Sequence, residues 1–229
     1  MSDVLSAEDV AAVLLSLRVA TAATLGALPL AFLTALALAR GRFPGRSALD
    51  AVVHLPLVLP PVATGYALLL LLGRNGPIGE VLAKAGIVFA FDWTGAALAA
   101  AVMAFPLLVR PIRLAIEAID PEVEEAAMTL GADPLARLWR VTLPLALPGL
   151  VGGVVLGFAK ALGEFGATIT FAAAIPGETL TLPTAIYQAA QTPGAETRAL
   201  ALCGVATLIA VISVFVSNAL VRAVEAPRR

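Results

Sequence analysis

Five uncharged, mostly apolar stretches, at residues 19–39, 51–73, 93–109, 141–159 and 199–221, constrain this chain more than any other feature of it. A membrane-spanning helix needs about 20 such residues to cross ~30 Å of hydrocarbon. Together the five leave no room for a separate soluble domain in 229 residues. Composition agrees: 60% of residues are apolar and 14% are charged, against roughly 25% charged in an ordinary soluble domain. The mean hydropathy is +0.95, and a chain this short could not hide that much apolar surface in one core. The sequence therefore predicts an all-α polytopic membrane protein with about five transmembrane helices, one domain over residues 1–229.

Charged residues mark the ends of the stretches. Asp50 and Arg74 flank the second, Asp92 and Arg110 the third, Arg140 and Lys160 the fourth, Arg198 and Arg222 the fifth. The first extends upstream past Arg18, which is near enough to its end to snorkel toward headgroups. Two further uncharged runs, 165–177 and 179–195, are short or broken by Pro176, Pro183 and Pro193. They read as re-entrant or interfacial segments buried against protein. The formal net charge of −1 excludes a nucleic-acid binder, which would carry a basic surface. A single Cys203 excludes an internal disulfide, and a single His54 excludes a His-rich metal site.

Lys and Arg are retained on the cytoplasmic side of a membrane. With the N-terminus outside, that side receives Arg40, Arg42, Arg46, Arg110, Arg113, Arg137, Arg140, Arg222, Arg228 and Arg229, ten of the fifteen basic residues. Arg18, Arg74, Lys84, Lys160 and Arg198 fall on the other. The expected topology is N-terminus outside and C-terminus cytoplasmic. The first ten residues carry Asp3, Glu8 and Asp9 and no basic residue, so they lack the positive n-region of a cleavable signal and are expected to be retained.

The one polar island lies between Arg110 and Arg140, on the cytoplasmic side. Asp120-Pro121-Glu122 is a helix start, with a capping acid, a proline at the first position and acids near the positive dipole end. Val123, Ala126, Ala127 and Leu130 recur at three-to-four spacing as one apolar stripe. Gly131 is a natural stop needing positive φ. Asp133-Pro134 repeats the start signal, and Leu135, Leu138 and Trp139 make a second stripe before Pro144 and Pro148 mark the next span. The expected island is helix, glycine turn, helix. It could be an amphipathic hairpin lying on the bilayer, but both helices are short, and short isolated helices are marginal in water. A docking partner would supply the missing burial.

Glu125-Ala126-Ala127, three residues, Gly131, nine residues, then Val141-Thr142-Leu143-Pro144 resembles the EAA loop of permease subunits in binding-protein-dependent ABC importers, with Val141 where isoleucine is usual. The resemblance implies the type I ABC importer permease fold, with a coupling loop over about 115–143 that seats in a groove on a separate ATPase subunit. It assigns the coupling role to Glu124, Glu125, Ala126, Ala127, Gly131, Ala132, Leu143 and Pro144. Residues 54–61 (HLPLVLPP), 162–171 (LGEFGATITF), 175–179 (IPGET) and 191–194 (QTPG) further resemble the permease subunits of bacterial molybdate importers, from about residue 13 to residue 222. The resemblance implies a homodimeric pore in the bacterial cytoplasmic membrane, two cytoplasmic ATPase subunits and an extracytoplasmic molybdate-binding protein landing on residues 74–92 and 164–198. ATP and Mg would bind the partner ATPase, with no cofactor on this chain. The alternatives are a tungstate or sulfate permease and, from another class, an ion-coupled secondary transporter, although none of the five stretches has an acid at its centre.

The residues themselves agree on the division of labour. No Gly-Lys pair exists from which a phosphate-cradling G-x-x-x-x-G-K-[ST] loop could be built, so ATP hydrolysis is expected on another polypeptide. No nucleophile or zinc-protease motif is present, so no catalytic residue and no metal ligand is assigned. For the pathway, Thr64, Tyr66, Thr168 and Thr170 sit beside proline- or glycine-rich stretches and are candidate lining groups for an oxyanion; threonines in membrane helices also bond back to their own backbone. Pro56, Pro60 and Pro61 loosen the second span, as a gate or as plain helix packing. Lys160 and Glu164 are spaced to pair along one helix face, with Glu164 a possible gate-stabilising partner. Gly149-x-x-x-Gly153-x-x-x-Gly157 is a small-residue stripe for close helix contact, within the subunit or across a dimer.

Overall fold

The computed structural model describes residues 5–225. Asp3, Arg228 and Arg229 lie outside the described residues, as does the side chain of Arg222. Every regular element among the described residues is helical: α1 (Ala7–Arg40), α2 (Arg46–Val58), α3 (Pro61–Leu72), α4 (Gly79–Lys84), α5 (Trp93–Glu117), α6 (Pro121–Thr129), α7 (Pro134–Arg137), a π-helical turn (Leu138–Thr142), α8 (Leu143–Leu162), α9 (Gly166–Phe171), α10 (Leu182–Gln191) and α11 (Glu196–Glu225). Among these residues four helices are long and apolar enough to cross a membrane, and the bent pair α2–α3 is a fifth if it counts as one span.

The first span begins further upstream than its uncharged stretch, because a capping box starts it. Ser6 Oγ accepts the Asp9 amide at 3.2 Å while Asp9 Oδ2 accepts the Ser6 amide at 2.8 Å, which satisfies two of the orphan donors of a helix start. The second stretch is not one helix. Leu59 and Pro60 are extended, and the axis turns by 115° between α2 and α3. Pro60 and Pro61 lack the amides that would continue the ladder, and a proline disfavours helical geometry in the residue before it. The third stretch corrects the reading of Arg110 as a boundary: α5 runs on to Glu117 and carries Arg110 and Arg113 within it. Arg113 is satisfied there by Glu117 at 2.8 Å and by Asp50 of α2 at 3.0 Å. The runs at 165–177 and 179–195 hold the short helices α9 and α10.

Helices α1, α5 and α8 form the centre. Ala20, Ala96, Ala100 and Ala104 are fully buried between them, and such small side chains let backbones approach closely. The glycine stripe of α8 is used within the subunit: a Cβ at Gly149 would lie 2.3 Å from Ala115 Cβ and one at Gly157 2.7 Å from Leu108 Cδ2, both on α5. At one end of the bundle, Asp9 of α1 pairs with Arg198 of α11 at 2.7 Å, Leu182 donates to Ser16 Oγ at 2.6 Å, and Arg18 lies over the Trp93 ring, 3.7 Å from its centroid. The last residues of α1 and α5 and the first of α8 meet at the other end, around α6.

Candidate functional site

The candidate coupling end is built on α6. Asp120 caps it by accepting the Glu122 amide at 2.9 Å, and Pro121 occupies its first position. Gly131 at φ +82° turns the chain, with nothing within 4 Å of where its Cβ would be, so the glycine is required by the backbone and not by crowding. Asp133 then caps α7, accepting the Ala136 amide at 2.6 Å. The expected helix, glycine turn, helix is present, with one correction: the second helix does not stop before the span. It continues through the π turn into α8, giving one apolar helix over 134–162. Pro144 follows directly on the π turn at the start of α8, and Pro148 is carried inside it.

No residue of α6 is buried. Its apolar side chains are open, and they continue onto the next helix: Val123, Met128, Leu130, Leu135 and Trp139 are all exposed, Leu130 at 88%. Glu125 and Ala126 are exposed beside them and Ala127 and Ala132 are half-buried. The neighbouring Glu124 turns inward. Its Oε1 accepts from the Thr142 hydroxyl at 3.0 Å, and its Oε2 lies 3.3 Å from Arg40 Nε at the end of α1. Leu143 is half-buried and Pro144 exposed at the start of α8.

The second region is the broken span. Helix α9 packs across α3 so closely that a Cβ at Gly65 would lie 2.5 Å from the Ala167 carbonyl oxygen, and one at Gly166 2.7 Å from Pro61 Cβ. Glu164 is 3% exposed. Its Oε2 pairs with Lys160 Nζ at 2.6 Å and its Oε1 accepts the Ala167 amide at 3.0 Å, so the carboxylate holds the start of α9 while its charge is met by the lysine. The four candidate lining residues separate by environment. Thr168 is buried at 1% and Thr64 at 7%, and the Thr64 hydroxyl is enclosed with no hydrogen-bond partner among the described residues. Thr170 donates back to the Gly166 carbonyl at 2.8 Å. Tyr66 is exposed on α3, as are Pro60 and Pro61 at the break.

The fold thus brings Pro61, Thr64, Glu164, Thr168 and Thr170 into one package and sets the coupling residues at the opposite side of α1 and α5. The spacing of Lys160 and Glu164 indicated their pair, which forms at 2.6 Å, but sequence reasoning missed the partners that come from other elements. Arg40 is far from Glu124 along the chain, and no local pattern joins them. Gly65 and Gly166 are single glycines without a spacing motif, so only the crossing of α3 and α9 exposes their purpose.

The chain matches the family of binding-protein-dependent transport system inner membrane components over residues 27–227. It is 55% identical over 212 residues to the molybdenum transport system permease protein ModB of Escherichia coli strain K12, covering 92% of this chain and 93% of that relative. In backbone it is similar to the bacterial ABC transporter involved in alginate import, with a TM-score of 0.76 at 21% identity, over 95% of this chain and 80% of the other. It is also similar to the MetNI methionine ABC transporter in an inward-facing form, with a TM-score of 0.74 at 20% identity, over 94% of this chain and 95% of the other. The chain belongs to this family of transport permeases, and its fold is that of ABC importer permeases.

Proposed function

From this membership we propose that the chain is the permease subunit of an ATP-driven importer that carries molybdate across the bacterial cytoplasmic membrane. The observation that carries the reading is α6: a capped helix with no buried residue, bordered by exposed Val123, Met128, Leu130, Leu135 and Trp139, is a surface made for a partner. Two copies form the pore, and each seats α6, Glu125 and Gly131 on a cytoplasmic ATPase subunit that supplies ATP and Mg. An extracytoplasmic binding protein delivers the oxyanion to the opposite end, where residues 74–92 and 164–198 lie. Closure of the ATPases moves the coupling helices and shifts the pore between inward- and outward-facing states. In this orientation the coupling end is cytoplasmic, the start of α1 is outside, and the end of α11 is cytoplasmic.

The pathway passes the broken span, where the exposed Tyr66 offers its hydroxyl and the extended Leu59–Pro60 segment offers backbone dipoles, groups that replace hydration without holding an anion tightly. A wide path of this kind distinguishes molybdate from tungstate poorly, because both are large tetrahedral dianions. Rejection of sulfate falls to a closed site on the binding protein. The test is uptake of labelled molybdate by the reconstituted complex with its binding protein, in competition with tungstate and sulfate. Tungstate should compete and sulfate should not. Preferential uptake of sulfate would overturn the assignment. Labelling of Arg229→Cys, in a Cys203→Ser background, by an impermeant reagent from outside would overturn the orientation.

A further inference from the structure

The coupling reading explains the outward face of α6 but not the inward one. The geometry points to Glu124 as the positioning residue that transmits movement of α6 into the membrane helices, through a clasp with Arg40 and Thr142. This inference rests on α6 being the coupling helix.

Three elements meet at one carboxylate. Thr142, 3% exposed, is the last residue of the π turn and donates its hydroxyl to Glu124 Oε1 at 3.0 Å. Arg40, the last residue of α1, places Nε 3.3 Å from Oε2, while its Nη2 donates to the Ile119 carbonyl at 3.4 Å just before α6 begins. The Glu124 side chain is 16% exposed. Since α6 buries no residue, apolar packing does not hold it against the bundle, and this carboxylate is its side-chain link to both α1 and α8. Glu125, next along the chain, is exposed. Adjacent acids on one helix, about 100° apart around its axis, therefore divide, Glu125 toward solvent and Glu124 toward the membrane helices.

Two further features suit a moving joint. Arg40 Nε is buried yet not aligned to donate to Glu124 or to any other group among the described residues. A buried donor without an acceptor is unfavourable, and a small shift of α6 that aligned Glu124 would satisfy it. Thr142 ends a π turn, a helical irregularity that tolerates local rewinding and recurs at functional sites. A displacement of α6 thus pulls on α1 through charge and on α8 through the π turn.

The experiment uses the complete complex with its ATPase subunits and binding protein in proteoliposomes. It reads ATPase co-purification, ATP hydrolysis and molybdate uptake per ATP. Glu124→Ala and Arg40→Ala should keep the ATPase bound and hydrolysing but lower uptake per ATP by about tenfold or more. The charge-swapped double variant Arg40→Glu with Glu124→Arg should recover at least part of it. Thr142→Val, nearly the same shape, should lower uptake per ATP by a smaller factor of about three. Glu125→Lys should instead release the ATPase. Unchanged uptake per ATP in Glu124→Ala, or loss of the ATPase in it to the same degree as in Glu125→Lys, would overturn the clasp while leaving the coupling helix intact. Full ATPase binding and uptake in Glu125→Lys would remove the coupling helix itself.

Discussion

Two short helices interrupt this bundle, and each is tied by one glutamate, yet they are held by different forces. Helix α9 has six residues, of which Gly166, Ala167, Thr168 and Phe171 are buried. Helix α6 has nine and buries none. Glu164 adds a capped amide and a lysine pair to a helix already fixed by close packing on α3. Glu124 supplies α6 with attachments that packing does not. Apolar interlock fixes a position because displacing it opens voids throughout the contact, whereas a polar tether keeps partners together while letting one rotate about the other. Helix α9 is built to stay and helix α6 to move.

The sharpest way to break that contrast is to overpack the first helix. Gly65→Val places its Cβ against the Ala167 backbone, which cannot yield as a flexible side chain would. It should cost about 3 kcal/mol, read as a lower midpoint of thermal unfolding of the detergent-solubilised permease or as loss of folded material. An unchanged midpoint would mean that packing on α3 does not hold α9. Glu164→Ala should cost about 2 kcal/mol, since the Ala167 amide loses its acceptor and Lys160 its counter-charge; Glu164→Gln, which keeps an acceptor for the amide, should cost less in the same assay.

On the coupling side the effect on the permease itself should shrink while the effect on transport stays large. Gly131→Val meets no neighbour, so only its φ of +82° is penalised, at about 1 kcal/mol. Uptake by the complex should nevertheless stop, because the turn sets the direction of α6. Leu130→Ala, at a position 88% exposed, should change permease stability, read from the unfolding midpoint, by less than about 0.5 kcal/mol and still weaken ATPase co-purification. A loss of permease stability there as large as that of Gly65→Val would erase the distinction between the two helices.

The spans were legible because hydrocarbon imposes a length and a composition that any chain must meet locally. The coupling loop was legible because caps and a glycine turn are local too: Asp120, Gly131 and Asp133 do in the fold what their neighbours in sequence indicate. Boundaries drawn at charges were less secure. Arg113 sits inside α5 because Asp50 and Glu117 meet it there, and one of those partners comes from another helix. The prolines of the second span promised a loosened helix, and the structure turns its axis by 115° there.

Sequence by itself determined that this chain is a bundle of membrane helices with one polar loop, since hydrophobic length, capping and turn chemistry act over a few neighbouring residues. Which glutamate of the Glu124-Glu125 pair faces inward, how closely α9 crosses α3, and what the glycines of α8 pack against were decided only by the tertiary structure. Those outcomes depend on Arg40, Thr142, Pro61 and Leu108, residues remote in the chain that the crossing of helices brings within a few ångströms, and no local pattern encodes a crossing.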